Sequence, residues 1–316
     1  MKALMIAVVL SVALLISCAS TSMYVPVTKP AKVNLAGIDK IAIGDIRGPA
    51  SADVTDELTM LLFQSDRYQV LDRQHLNQIL DEHDLTYAGL VNPDNAVDMG
   101  ELIGSAALVF GRVAKHNFDE KVTYDDYKDK NGRSHRSYMR EVIAYVDLTL
   151  QITDLRTGEI IAIRNISESA KGREMETDKY PPDIDAAPLL KLARAKALES
   201  FMRDIAPYQV REKVTLLTDD NVPELKQGVA MVKTGNWNEG ITYFQRAVEN
   251  SPNSSKAWFN LGVACEYTHQ YDKAVEYLKK AYDMENKSLY MKEYGRCKRL
   301  QTEYKQLQEQ LSQARR

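Results

Sequence analysis

The chain has little cysteine, few histidines and tryptophans, and almost no net charge. Its 316 residues include 3 Cys, 5 His and 2 Trp, and 41 Lys and Arg nearly offset 44 Asp and Glu, for a net charge of −3. Three cysteines are too few for a disulfide-built scaffold. The charge balance argues against a nucleic-acid binder, which carries a basic patch and a high pI. A hydrophobic content of 44% still supports packed cores, and the length allows two domains.

Long apolar runs and catalytic motifs are missing too. After residue 16 no apolar run approaches 18 residues, so no transmembrane helix is expected there. There is no G-x-x-x-x-G-K-[ST], no H-E-x-x-H and no G-x-S-x-G. His75 and His83 flank a predicted helix, which we interpret as a solvated face rather than a metal site. The run Asp125–Gly132 fails as a calcium loop, because tyrosines would stand at its first and last ligand positions. We therefore expect no enzyme, no metal site and no cofactor.

What the chain does have is a distinctive N-terminus. Lys2 is followed by an apolar stretch over residues 3–16 and then by Leu15-Ile16-Ser17-Cys18. The stretch is too short to span a membrane and suits the core of a signal peptide. The order resembles the lipobox of bacterial lipoproteins, in which the cysteine takes a diacylglycerol and cleavage leaves it N-terminal. The alternative is a plain secretory signal with a chance cysteine.

The lipobox resemblance implies a signal peptide over residues 1–17 and a lipid anchor, with palmitate, on Cys18. Several acyl chains make a stable anchor, whereas one chain alone does not. Ala19 stands where an Asp would favour inner-membrane retention, so the resemblance implies an outer-membrane lipoprotein facing the periplasm. Residues 18–37 show no periodicity and include Pro26 and Pro30, which predicts a lipidated tether.

From residue 38 onward, short apolar runs alternate with segments of helical spacing. Strands are predicted at 40–46, 68–71, 107–113, 146–152, 159–167 and 210–217, with helices beginning near 51, 72, 93 and 189. Pro93 stands at the first position of its helix, and Pro207 ends the last one. This order predicts a mixed-sheet α/β domain over residues 38–217.

Several phrases of this domain resemble the CsgG family of envelope lipoproteins. They are Asp56-Glu57-Leu58, Tyr68-Gln69-Val70-Leu71-Asp72-Arg73, Leu76, Ile79-Leu80, Glu82, Gly100-Glu101-Leu102-Ile103-Gly104 running into Ala106 to Arg112, and Asp154-Leu155-Arg156-Thr157-Gly158-Glu159-Ile160. The resemblance covers residues 38–207 and implies the CsgG fold, which LpoB-type activators share and the N-terminal domain of TolB shares more distantly. These phrases carry no catalytic group.

The hairpin around Asn131-Gly132 bears on whether the chain crosses a membrane. In the curli secretion channel of the CsgG family, hairpins at this point enter the membrane. Here ten of the 21 residues from Phe118 to Tyr138 are Asp, Glu, Lys or Arg, and Arg164–Lys179 is equally charged. A lipid-facing Lys or Arg near mid-bilayer costs about 2–4 kcal/mol. We therefore predict that neither segment spans a membrane and that the hairpin Phe118–Tyr138, with Asn131-Gly132 as its turn, stands in water.

A 34-residue period appears after residue 221. The positions that match the tetratricopeptide pattern are small or bulky residues expected to pack between paired helices: Gly228, Gly240, Phe244, Ala247, Pro252, Trp258, Leu261, Gly262, Ala274, Leu278 and Ala281. The pattern predicts an all-α helical-repeat domain over residues 221–316, with repeats at 221–254 and 255–288 and a capping helix. Cys265 and Cys297 fall in these helices, where we prefer two buried thiols to a disulfide.

Together these features predict a non-enzymatic outer-membrane lipoprotein that acts as an adaptor or assembly factor in envelope biogenesis or secretion. Its expected partners are the membrane through Cys18, a protein or peptide in the repeat groove, and a second copy through the CsgG-like domain, with no nucleic acid. Two alternatives stay open. One is a subunit of a CsgG-type secretion channel, and the other is an LpoB-like regulator of peptidoglycan synthesis, which fold analogy alone supports.

Overall fold

The computed structural model describes residues 20–35, 37–71 and 104–313. Cys18 and the helices predicted after residues 72 and 93 lie outside these ranges. The elements in chain order are β1 (Ser20–Lys29), β2 (Lys40–Arg47), α1 (Ser51–Gln64), β3 (Gln69–Val70), β4 (Ala106–Lys128), β5 (Ser134–Asp154), β6 (Ile160–Thr177), α2 (Ala186–Ile205), β7 (Tyr208–Leu217), α3 (Pro223–Lys233), α4 (Trp237–Asn250), α5 (Ser255–Tyr267), α6 (Tyr271–Met284) and α7 (Ser288–Gln313). Within these ranges no helix has both the length and the apolarity needed to cross a bilayer.

Among the described residues, the first unit comprises 28–35, 37–71, 104–208 and 306–313, and it contains a five-stranded mixed sheet. Its strand order is β3-β2-β4-β5-β6, with β2 parallel to β3 and β4 and the other pairs antiparallel. Helices α1 and α2 contribute fully buried side chains to the same apolar core as the sheet, among them Leu58, Leu62, Leu198 and Phe201. The α/β domain predicted from the sequence is confirmed.

Strands β4 and β5 are much longer than the sequence indicated. The sequence predicted strands at 107–113 and 146–152 and a separate charged hairpin over Phe118–Tyr138, but one ladder joins them from Ala107↔Asp154 out to Lys128↔Ser134. The added length escaped the pattern because neither face of the outer part is apolar, and a half-buried strand is recognised by one apolar face. Asn131-Gly132 does lie in the connecting turn, where Gly132 takes a φ of 78°.

Among the described residues, the second unit comprises 20–27 and 209–305. It combines a two-stranded sheet, β1 with β7, and helices α3 to α6 with α7 as far as residue 305. The predicted tether is therefore wrong for residues 20–29, since Met23, Val25 and Val27 alternate along a strand that pairs with β7. Strand β7, predicted as part of the domain over 38–217, belongs with the helices instead, because its inward side chains join their apolar cluster.

Candidate interaction sites

The outer part of the main sheet forms a three-stranded ribbon. We call residues 118–128, 134–143 and 171–177 the distal ribbon. Strand β2 pairs with β4 only as far as Arg112, so beyond that point β4 has β5 as its only strand neighbour among the described residues. The side chains of β4 from Phe118 to Lys128 are all exposed. This part of β4 is therefore a surface, whereas Glu141 and Val142 on the neighbouring strand β5 are buried.

Both faces of the distal ribbon carry ion pairs. On the face shared with Phe118 and Tyr124, Arg140 pairs with Glu120, and Arg136 pairs with Asp126 at 2.6 Å. On the opposite face, the Glu141 carboxylate lies 2.6 Å from Arg173, 3.2 Å from Lys121 and 3.3 Å from Lys171. The hydrogen bond from Arg173, with further ones from the lysines, lowers the pKa of Glu141 to about 2. Glu141 is therefore ionised at neutral pH.

The tip of the distal ribbon is ordered around His135. Its Nδ1 lies 2.6 Å from Asp178 and its Nε2 lies 3.5 Å from Asp129. Asp129 also accepts hydrogen bonds from the backbone N–H groups of Asn131 and Arg133, which fixes the turn. The hydrogen bond with Asp178, helped by Asp129, raises the pKa of His135. The tip thus joins the β4–β5 turn to the end of β6 through one titratable side chain.

Aromatic rings cluster on one face near this tip. Tyr138 stacks on Tyr180 with ring centroids 4.6 Å apart and lies 6.0 Å from Tyr124. Arg136 lies over the Tyr124 ring at 4.2 Å. Tyr124 and Tyr180 remain 57% and 67% exposed. Tyr and Arg are enriched where proteins bind proteins, because they offer large contact area together with a polar group.

Small residues lie at close contacts between the helices of the second unit. A Cβ on Gly228 would lie 2.3 Å from the Phe244 ring, one on Gly240 2.5 Å from Val232, and one on Gly262 2.7 Å from Leu278. Ala247, Leu261, Ala274, Leu278 and Ala281 are buried, and Pro252 is exposed beyond the end of α4. Trp258 differs from expectation, since it is only partly buried. Its ring packs beside Tyr277 under the Lys280 ammonium, and its N–H donates to the Pro252 carbonyl.

Strand β7 lies against a face of this helical unit that sequence reasoning missed. We call Lys256, Asn260 and Arg296 the clamp face. Asn260 Oδ1 accepts from the Leu217 N–H at 2.9 Å, and its Nδ2 donates to the Leu217 carbonyl at 2.7 Å. The Lys256 ammonium lies 2.9 Å from Asp219, and Arg296 lies 2.6 Å from Glu212. The helices therefore hold an extended segment of their own chain by its backbone and by two carboxylates.

The apolar side of β7 completes this arrangement. Val214 and Leu216 are fully buried and Leu217 nearly so, in one cluster with Phe259, Val263 and other helix residues. Helix α5 is buried along most of its length. The only available signal for this contact was the amide Asn260 inside an otherwise apolar helix, because a buried amide needs a backbone or side-chain partner.

The cysteines and the acidic residues do not assemble a reactive centre in the described part of the chain. Cys265 and Cys297 are both free and buried, which agrees with the preferred interpretation. Burial raises the pKa of Cys265 to about 11, so its thiolate is scarce at neutral pH. No group of three or more His, Cys, Asp or Glu residues with the geometry of a metal site occurs among residues 20–35, 37–71 and 104–313.

Comparison with protein families identifies the first unit. The family described as curli production assembly/transport component CsgG matches residues 8–178, which is more than half of the chain. The chain therefore belongs to the CsgG family and is a bacterial envelope-associated protein. Residues 226–310 match a second family, described as a domain of unknown function, DUF6340. Among curated proteins no relative matches the chain.

Several solved structures are similar to parts of the chain. Lipoprotein GNA1162 from Neisseria meningitidis is 12% identical, with a TM-score of 0.30 over 51% of this chain and 96% of its own. The LpoB C-terminal domain from Salmonella enterica is 13% identical, with a TM-score of 0.27 over 41% of this chain and 82% of its own. The PelC dodecamer from Paraburkholderia phytofirmans is 11% identical, with a TM-score of 0.26 over 58% of this chain and 98% of its own.

Proposed function

We propose that this chain is a lipid-anchored, non-enzymatic adaptor of the bacterial envelope that docks another protein through the distal ribbon. Cys18 would carry the lipid and hold the chain at the outer membrane, with the folded units in the periplasm. The observation that carries the proposal is the distal ribbon itself, an exposed extension of the sheet with ion pairs on both faces and clustered tyrosines near its tip.

The distribution of charge favours a protein partner over lipid as the surroundings of this ribbon. A strand that faces lipid alternates between an apolar and a polar side. Here the first face carries Glu120, Asp126 and Arg136, and the second carries Lys121 and Arg173 around Glu141. Burying either face in hydrocarbon would remove these charges from water, whereas a wet protein interface accommodates them at its rim. The secretion-channel alternative is accordingly disfavoured.

The clamp face changes the role expected for the helical unit. A groove that binds a foreign peptide has to be open, but Lys256, Asn260 and Arg296 are already engaged by β7 and Asp219. We propose that the helical unit acts mainly as a scaffold that fixes strands β1 and β7. Strand β1 begins two residues after Cys18, so this scaffold would order the chain directly next to the proposed lipid anchor.

The test of the adaptor proposal is capture of partners from membranes by the lipidated chain. Tyr124→Ser and Tyr180→Ser would each remove an exposed ring at the ribbon tip. Leu192→Ser, at an exposed position of α2, is the matched control in the same unit. We expect one envelope protein to be retained by wild type and by the control and to be lost with the tyrosine variants. Equal retention by all four chains, or no retained protein, would contradict docking through the distal ribbon.

A further inference from the structure

Strand β7 is held by two anchors of different chemistry. Near its C-terminal end, Asn260 binds the Leu217 backbone through two neutral hydrogen bonds. In its first half, Glu212 is held by the Arg296 guanidinium at 2.6 Å. The amide anchor does not titrate. The strength of the ion pair between Arg296 and Glu212 depends on the charge of the other groups that contact Arg296.

Arg296 is shared among three carboxylates. Besides Glu212, its Nη2 lies 2.6 Å from Glu266, and the same guanidinium also pairs with Glu293. A single positive charge cannot neutralise three negative ones. Glu266 is only 1% exposed, and its close polar partners are the shared guanidinium of Arg296 and the Cys297 thiol. A buried carboxylate that shares one positive charge with two other carboxylates is costly in its ionised form, so Glu266 is the member that takes up a proton.

The surroundings of Glu266 are defined by all the elements packed around it. The titratable and charged groups that face it are Glu212 from β7, Tyr267 from its own helix α5, Tyr271 from α6, and Glu293, Arg296 and Cys297 from α7. Burial raises the pKa of Glu266 to about 8; the charge of Arg296 lowers it, and that of Glu293 raises it further. The Tyr267 hydroxyl accepts from Arg296 at 3.0 Å, which fixes the guanidinium in place.

We infer that Glu266 and Arg296 form a proton-controlled latch on the first half of strand β7. With Glu266 protonated, Arg296 is shared only by Glu212 and Glu293, and β7 is held at both ends. When Glu266 loses its proton, it draws on the same guanidinium and repels the Glu212 carboxylate, so the first half of β7 loosens. Asn260 keeps Leu217 in place in both states.

Hydrogen exchange of the full chain tests this latch, with protection factors used to remove the intrinsic pH dependence of exchange. Between pH 6.5 and 9, a range that brackets the titration of Glu266, we expect protection over residues 209–214 to fall by about tenfold, the factor that follows if the pKa of Glu266 is one unit lower when the strand is loosened. Protection at Leu217 should stay constant. In Glu266→Gln, the fall over residues 209–214 should disappear, whereas the control Glu249→Gln, exposed on α4, should behave as wild type.

Two further measurements test the latch if the Glu266→Gln variant does not fold. Carbon-13 NMR of the Glu266 carboxyl in the wild-type chain should show titration near pH 8, and Glu212→Gln should loosen residues 209–214 at every pH. Titration of Glu266 in the ordinary acidic range of glutamate would overturn the latch. So would a pH-independent protection of residues 209–214 in wild type, or a loss of protection that includes Leu217 equally.

Discussion

The side-chain amide of Asn260 on helix α5 brackets the backbone of Leu217, accepting from its N–H at 2.9 Å and donating to its carbonyl at 2.7 Å. Asn260 is fully buried, and its two bonds satisfy both backbone polar groups of Leu217. The pair shows how a helix side chain can hold the backbone of a strand whose sheet partner is β1. It also accounts for the position of β7 in the helical unit rather than in the main sheet.

Asn260→Ala should destabilise the helical unit by about 2–4 kcal/mol, because it leaves a buried N–H and a buried carbonyl without partners. Chemical denaturation followed by tryptophan fluorescence measures this, since Trp237 and Trp258 both lie in the helical unit. Asn250→Ala is the control, because that amide makes one exposed bond to Glu224 and should cost no more than about 0.5 kcal/mol. Equal effects of the two variants would contradict the clamp.

Two glycines in the helices should respond in opposite directions to alanine. A Cβ at position 262 would lie 2.7 Å from Leu278 Cγ and 3.0 Å from the Leu278 backbone nitrogen, so Gly262→Ala should cost about 1–3 kcal/mol by overpacking. At Gly295 on α7 a Cβ meets no described atom within 4 Å, so Gly295→Ala should stabilise by about 0.5–1 kcal/mol through helix propensity. Thermal melts of the two variants separate the cost of overpacking at residue 262 from the gain in helix propensity at residue 295. A Gly262→Ala variant as stable as wild type would count against the predicted repeat packing.

The ribbon tip should respond to pH through His135. Because the pKa of His135 is raised, its contacts with Asp178 and Asp129 are fully present below the unfolded pKa of about 6.5 and are lost as pH rises through the higher folded value. Proton NMR of the imidazole ring follows this titration directly. Asp178→Asn should bring the His135 pKa back toward its ordinary value, while Asp183→Asn, which leaves the His135 contacts untouched, should not.

Anchoring should depend on Cys18 alone. Cys18→Ala removes the proposed lipid attachment, so the variant should take up no palmitate and should separate from membranes or keep its signal peptide. Radioactive palmitate labelling compares it with wild type, and Cys265→Ala serves as the control because that thiol is buried in α5. Label of equal strength in the Cys18 variant would rule out this residue as the acylation site.

The sequence indicated the α/β order, the Asn131-Gly132 turn and the close helix contact at Gly262, because each of these depends on local pattern or residue size. It did not indicate β1, since Pro26 and Pro30 favour a loop and conceal the alternation of Met23, Val25 and Val27. The contact between Asn260 and Leu217 could not be predicted from the sequence either, because it joins segments 43 residues apart through tertiary packing. The full length of β4 and β5 could not be predicted, because charged residues lie on both faces of their outer parts and leave no alternating apolar face.

Accessibility of the distal ribbon in membranes tests the central claim most directly. Single cysteines placed from Phe118 to Lys128, in a chain lipidated at Cys18 and reconstituted in liposomes without partners, are treated with a water-soluble maleimide. Both alternating sets of positions on this strand should react, because both of its faces stand in water. Protection of every second position, as for a strand with one face in lipid, would contradict the account and favour the secretion-channel alternative.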